Sequence, residues 1–157
     1  MDPYSVADAV SAGIKYIGIA VYSSGKVYEF LVRKGFDTDT ARVAVAQLVE
    51  REYIDDVRAG RKVLTSRVGK KQESRAMLAQ RLKASGVSRD CISVLLEECP
   101  DDRKSCEELI RSYYPDILGT VCSEEELNDI ISIASRRGFS PELAMSVIRK
   151  LINEQST

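Results

Sequence analysis

Apolar and polar positions along this chain alternate with helical spacing, and a longer period is laid over them. Three times an apolar run ends in glycine, a large apolar residue follows and a polar residue opens a second run: Gly35-Phe36-Asp37, Gly86-Val87-Ser88 and Gly138-Phe139-Ser140. The glycines lie 51 and 52 residues apart, the spacing of one supersecondary unit used three times. Eight residues before each glycine stand Val27, Leu78 and Ile130, and four before it Leu31, Leu82 and Ala134. Nine and ten residues after it come Ala44-Val45, Leu95-Leu96 and Val147-Ile148. Such spacings keep side chains on one face of a helix, and a unit this small must bury that face against its neighbours.

The corner itself has a physical reading. A glycine just past the last helical turn takes the left-handed conformation without a side-chain clash and satisfies the orphan carbonyls. The apolar residue after it folds back onto the finished helix, and Asp37, Ser88 or Ser140 caps the next one, with Pro141 suited to a first helical position.

The pattern predicts an all-α fold, an elongated array of three tandem three-helix units, about nine helices over residues 5–54, 55–98 and 101–154. A first helix is expected over 6–22. Residues 16–32 read equally well as a β-hairpin by propensity, with Ser23-Ser24-Gly25 as its turn; the repeat favours helix. Further helices are expected over about 39–52, 57–68 with Gly69 ending it, 71–85, 88–98, 102–114, 124–137 and 141–153. Asp55 or Asp56 is expected to cap the fourth, and Ser123 with Glu126 forms a capping box.

Charged residues at 30% and hydrophobic ones at 44% are ordinary for a folded soluble protein. No run approaches the length of a membrane span, and Met1-Asp2-Pro3-Tyr4 lacks the character of a signal peptide, so a cytoplasmic location is expected. The chain has no histidine, and Cys91, Cys99, Cys106 and Cys122 form no CxxC pair, which argues against zinc and against Ser-His or Cys-His catalysis. Reduced thiols packed as small apolar residues are expected, with a pair among Cys99, Cys106 and Cys122 the alternative. No phosphate loop is present, so neither cofactor nor enzyme activity is expected.

Charge changes the picture. Residues 57–89 hold ten basic residues against one acid, Glu73, while residues 97–129 hold eleven acids against three bases, under a net charge of only −1. Arg58, Arg61 and Lys62 share a helical face, Lys70, Lys71 and Arg75 cluster around the next corner, and Arg67 lies between the two groups in sequence. These seven are the candidate binding residues for an anionic partner, either a nucleic-acid backbone or an acidic protein face.

The stretch Val27-Tyr28-Glu29-Phe30-Leu31-Val32-Arg33-Lys34-Gly35-Phe36, the end Leu48-Val49-Glu50-Arg51-Glu52-Tyr53-Ile54-Asp55-Asp56 and the corners at Gly86 and Gly138 resemble the RecX family of recombinase regulators, over about residues 8–153. Two places depart from the family pattern. Val57-Arg58-Ala59-Gly60 lacks the usual aromatic-alanine pair, and Val68-Gly69-Lys70-Lys71 lacks a proline. The resemblance implies a non-enzymatic regulator, expected as a monomer, in homologous recombination, DNA repair and the SOS response. Its implied partners are the RecA recombinase filament and single-stranded DNA, directly or through the filament groove, with inhibition of recombinase activity. A free-standing helix-turn-helix nucleic-acid-binding module is the alternative, because two helices joined at a glycine corner share that outline.

Overall fold

Each of the three corners closes in the same way. In a computed structural model of the chain, which describes residues 1–154, Gly35, Gly86 and Gly138 all take positive φ (112°, 85° and 90°). The amide of the following residue reaches back five positions, Phe36 to Leu31, Val87 to Leu82 and Phe139 to Ala134, each at 3.1 Å. The glycine amide reaches back three positions at 3.0 Å in all three. This is the paired bonding of a Schellman end, and Phe36, Val87 and Phe139 are buried as its apolar clamp requires.

Nine α-helices and no strand are found among the described residues: α1 Val6–Ile17, α2 Ser24–Lys34, α3 Thr38–Glu50, α4 Asp56–Leu64, α5 Arg75–Ala84, α6 Arg89–Glu98, α7 Asp102–Tyr113, α8 Glu124–Arg136 and α9 Pro141–Asn153. The fold is all-α, and the hairpin alternative is gone. Ser23-Ser24-Gly25 opens α2 instead of turning a hairpin, with the Ser23 hydroxyl accepting from the Lys26 amide.

Three expected boundaries are corrected. The first helix stops at Ile17, short of Tyr22, because Gly18 takes φ 53° and its amide bonds Ile14, after which 18–20 turn the chain toward α2. The fourth stops at Leu64, short of 68, where the Arg67 amide turns back to the Leu64 carbonyl. Gly69, φ 59°, is no helix end; it opens a single 3₁₀ turn, Gly69–Lys71, that delays α5 to Arg75.

The described chain gathers into two compact units, Met1–Val63 with Arg81–Leu95, and Leu64–Gln80 with the chain from Leu96 on. In the first, α1, α2 and α3 enclose Ala9, Val27, Leu31, Phe36, Ala44 and Leu48. In the second, α7, α8 and α9 enclose Cys106, Leu109, Ile110, Ile130, Ala134, Phe139, Val147, Ile148 and Leu151.

Within each unit the joints are made by equivalent residues. Buried Ser23 and Ser74 each cap their own helix, to the amides of Lys26 and Met77. Each also sits at a later glycine corner: the Ser23 hydroxyl donates to the Ser85 carbonyl at 2.6 Å, and the Ser74 amide donates to the Arg137 carbonyl at 2.9 Å. The aspartates that open α4 and α7 bind the next amide along: Ser24 to Asp56 at 2.7 Å, and Arg75 to Asp102 at 2.8 Å.

Glycines let α1 and α4 approach the helices that follow them. A methyl at Gly13 would strike Leu48 and touch Val27, and one at Gly60 would strike Leu95 and crowd Leu82. The departure at Ala59-Gly60 is therefore a packing device: Gly60 is the close contact of α4.

Candidate functional site

The sequence places ten basic residues in 57–89, and the structure sorts them by what surrounds each side chain. In the first unit Arg58, Arg61 and Lys62 stand exposed on α4, whose opposite side buries Asp56, Ala59 and Gly60. The 3.6-residue period produces this division, since positions 58, 61 and 62 share one side while 56, 59 and 60 face the core. Asp55 caps the helix by accepting from the Arg58 amide at 3.1 Å. In the second unit Lys70 and Lys71 stand exposed on the 3₁₀ turn, and the Lys70 ammonium lies 5.3 Å from the ring centroid of Tyr113 on α7. That contact holds the cation at the surface in a fixed direction.

Arg67 and Arg75 are engaged inward. Arg67 is half-buried, with Nε 3.9 Å from Oε1 of the buried Glu73. The Arg75 guanidinium donates to the Leu96 carbonyl while its amide binds Asp102. The single acid in the basic stretch is thus an internal counter-charge, and Gln72 beside it donates to Glu108 at 2.5 Å. Of the seven candidates, three share the surface of α4 in one unit. The other four belong to the second unit, and of these Lys70 and Lys71 are exposed.

Asp56 is the polar residue whose role the sequence concealed. The residue is 7% exposed, and its carboxylate accepts from the Ser24 amide, the Ser24 hydroxyl at 2.5 Å and the Ser88 amide at 2.7 Å. It thereby fixes the first turn of α2 and the start of α6, where a cap of α4 was expected. No cluster of three metal-ligating side chains occurs among the described residues. All four cysteines are free thiols. Burial pushes the Cys106 thiol up to about 11 and raises Cys99 and Cys122 as well, which keeps these thiols protonated and poorly nucleophilic. No helix among the described residues is long and apolar enough to cross a membrane.

The arrangement can therefore offer exposed guanidinium and ammonium groups to phosphates or carboxylates. No protein-family model matches the chain. The regulatory protein RecX of Chlorobaculum tepidum is 24% identical over 158 residues, covering 99% of this chain and 96% of that one. The regulatory protein RecX of Clostridium tetani is 27% identical over 143 residues, 88% of this chain and 65% of that longer one. In fold, the crystal structure of RecX from Lactobacillus salivarius matches with a TM-score of 0.68 over 93% of this chain and 96% of that one, at 14% identity. In sequence the chain thus resembles proteins named RecX along nearly its whole length, and it has the fold of a RecX crystal structure.

Proposed function

We propose that the chain regulates the RecA recombinase by binding the filament that RecA forms on single-stranded DNA and inhibiting its activity. The observation that carries this reading is the likeness, along nearly the whole chain and in fold, to proteins named as RecX regulatory proteins. The exposed cations support it, since a nucleoprotein filament presents phosphates and acidic protein surface to whatever docks on it. Arg58, Arg61 and Lys62 of α4, and Lys70 and Lys71 of the 3₁₀ turn, make these contacts. Arg67 and Arg75 contribute by holding the backbone that presents Lys70 and Lys71.

The test is the DNA-dependent ATPase of RecA, titrated with the chain and with two charge reversals, Arg58→Glu/Arg61→Glu/Lys62→Glu and Lys70→Glu/Lys71→Glu. The parent chain inhibits, and each reversal shifts the inhibition curve to higher concentration, more so as salt is lowered. Undiminished inhibition with all five residues reversed would remove their assigned role. A parent chain that neither inhibits nor sediments with the filament would remove the regulatory reading altogether.

A further inference from the structure

A groove in the first unit, outside the basic sites, is largely apolar and open to solvent. Two cavities form it, of about 280 and 600 Å³, and Ser24 is a wall of both. Tyr28 and Val45 line the smaller, while Val49, Ile54 and Cys91 line the larger. Val45 and Val49 stand one turn apart on α3, so the two cavities continue one another along that helix. Val49 is 46% exposed, and every lining residue belongs to the same compact unit.

The two ends of the groove differ in charge. At the smaller cavity the Arg42 guanidinium lies 6.0 Å from the Tyr28 ring centroid and pairs with Asp39 at 3.2 Å. The larger cavity is lined by Glu52, Asp55 and Asp56 and by no base. Asp56 is engaged by Ser24 and Ser88. The Asp55 carboxylate accepts only the Arg58 amide, and that of Glu52 has no hydrogen bond or ion pair among the described residues. Glu52 is also the one non-glycine residue among them with positive φ, 65°. Glycine takes that conformation without a side-chain clash, so the backbone gives no reason for a glutamate here.

The chemistry of the groove selects its occupant. Carboxylates without a counter-charge repel phosphates, which disfavours a nucleic-acid strand. An apolar channel that ends in them suits a protein segment whose arginine or lysine lays its alkyl stem on Val49 and brings its charge to Glu52 and Asp55. From Arg42 to Glu50 α3 rises about 12 Å, the reach of about four extended residues. We infer that this groove docks a short extended segment of the recombinase itself, with an arginine or lysine seated between Glu52 and Asp55 and apolar side chains along Val49 and Val45. The identity of the partner rests on the function proposed above; the shape and charge of the groove do not.

The experiment measures binding of the full chain, immobilised, to RecA free of DNA and, in separate runs, to a naked oligothymidylate. The parent should bind DNA-free RecA. Glu52→Gly removes the carboxylate and relieves the backbone, so it should keep or raise Tm yet weaken RecA binding by about three- to 30-fold, between the worth of an exposed and a desolvated ion pair. Glu52→Asp keeps the charge and should bind more tightly than Glu52→Gly. Neither should weaken binding to oligothymidylate. Undiminished RecA binding by Glu52→Gly, or a parent that does not bind DNA-free RecA, would overturn the docking site. Oligothymidylate binding that falls with Glu52→Gly would assign the groove to nucleic acid and overturn it equally. ATPase inhibition by a parent that does not bind DNA-free RecA would remove the groove and leave the regulatory reading, whereas Glu52-dependent binding without inhibition would do the reverse.

Discussion

Replacing Asp56 by alanine tests whether two neighbouring aspartates, indistinguishable by composition, do different work. Asp55 is exposed and accepts one bond, from the amide of Arg58 within its own helix. Asp56 is buried and accepts three, two from Ser24 and one from Ser88. A bond to a charged group contributes about 1.5–3 kcal/mol, but the three share one carboxylate and do not add. Water can reach part of what is left behind, because Ser24 and Ser88 are only half-buried. The expected loss for Asp56→Ala is therefore about 2–4 kcal/mol, a fall in Tm of roughly 5–15 °C for a chain of this size. Losing an N-cap costs about 1 kcal/mol, so Asp55→Ala should lower Tm by only a few degrees. Thermal and urea unfolding followed by circular dichroism read both. An Asp56→Ala protein within about 1 kcal/mol of the parent, or an Asp55→Ala protein that is the weaker of the two, would refute the assignment of Asp56 as the joint between α2 and α6.

Other changes follow from the packing and the thiols. Gly60→Ala gains up to about 1 kcal/mol of helix propensity but drives a methyl into Leu95 and Leu82, so a net loss of about 1–2 kcal/mol is expected in urea unfolding. Burial holds Cys106 protonated up to about 11, above its ordinary 9.0. Its contribution to stability is complete below the lower value and falls by about 1.4 kcal/mol per pH unit between the two, because the unfolded chain gives up the proton first. Cys106→Ala should unfold with a shallower alkaline dependence than the parent, read from denaturation curves at about pH 8 and about pH 10. In the native chain a thiol reagent should label the half-buried Cys91 and Cys122 well before Cys106; prompt labelling of Cys106 without unfolding would contradict its burial.

The fold was legible in the sequence wherever a local device repeats. The three glycine corners, the apolar positions around them and the caps at Ser123 and Ser140 all stand as the pattern implies, because each is a backbone requirement met by residues a few positions away. What remained hidden is contact across the chain. Asp55-Asp56 looks like a redundant cap until Ser24, 32 residues earlier, is seen against the second carboxylate. The stretch 16–22 offers β-branched and aromatic residues because it ends one helix, turns and stacks a tyrosine back, and propensity cannot separate that from a strand. Gly60 reads as a weak point of a helix, yet Leu82 and Leu95 make it the residue that α4 needs.

The same distinction governs how charge bears on function. A count of ten bases against one acid treats the stretch as a uniform field, but the acid is the most buried of these charged residues and draws Arg67 inward. The Arg75 guanidinium is held by a carbonyl on α6, so reversing its charge would break a joint before it touched a partner. Removing Arg67 from its pair with Glu73 costs far more than the pair itself contributes, because the glutamate's charge is left buried. A scan of every basic residue in this segment would therefore mix two effects under one loss of inhibition. Confining the reversals to Arg58, Arg61, Lys62, Lys70 and Lys71, with stability measured beside inhibition, separates them: a surface role lowers inhibition at constant Tm, and a structural role lowers both together.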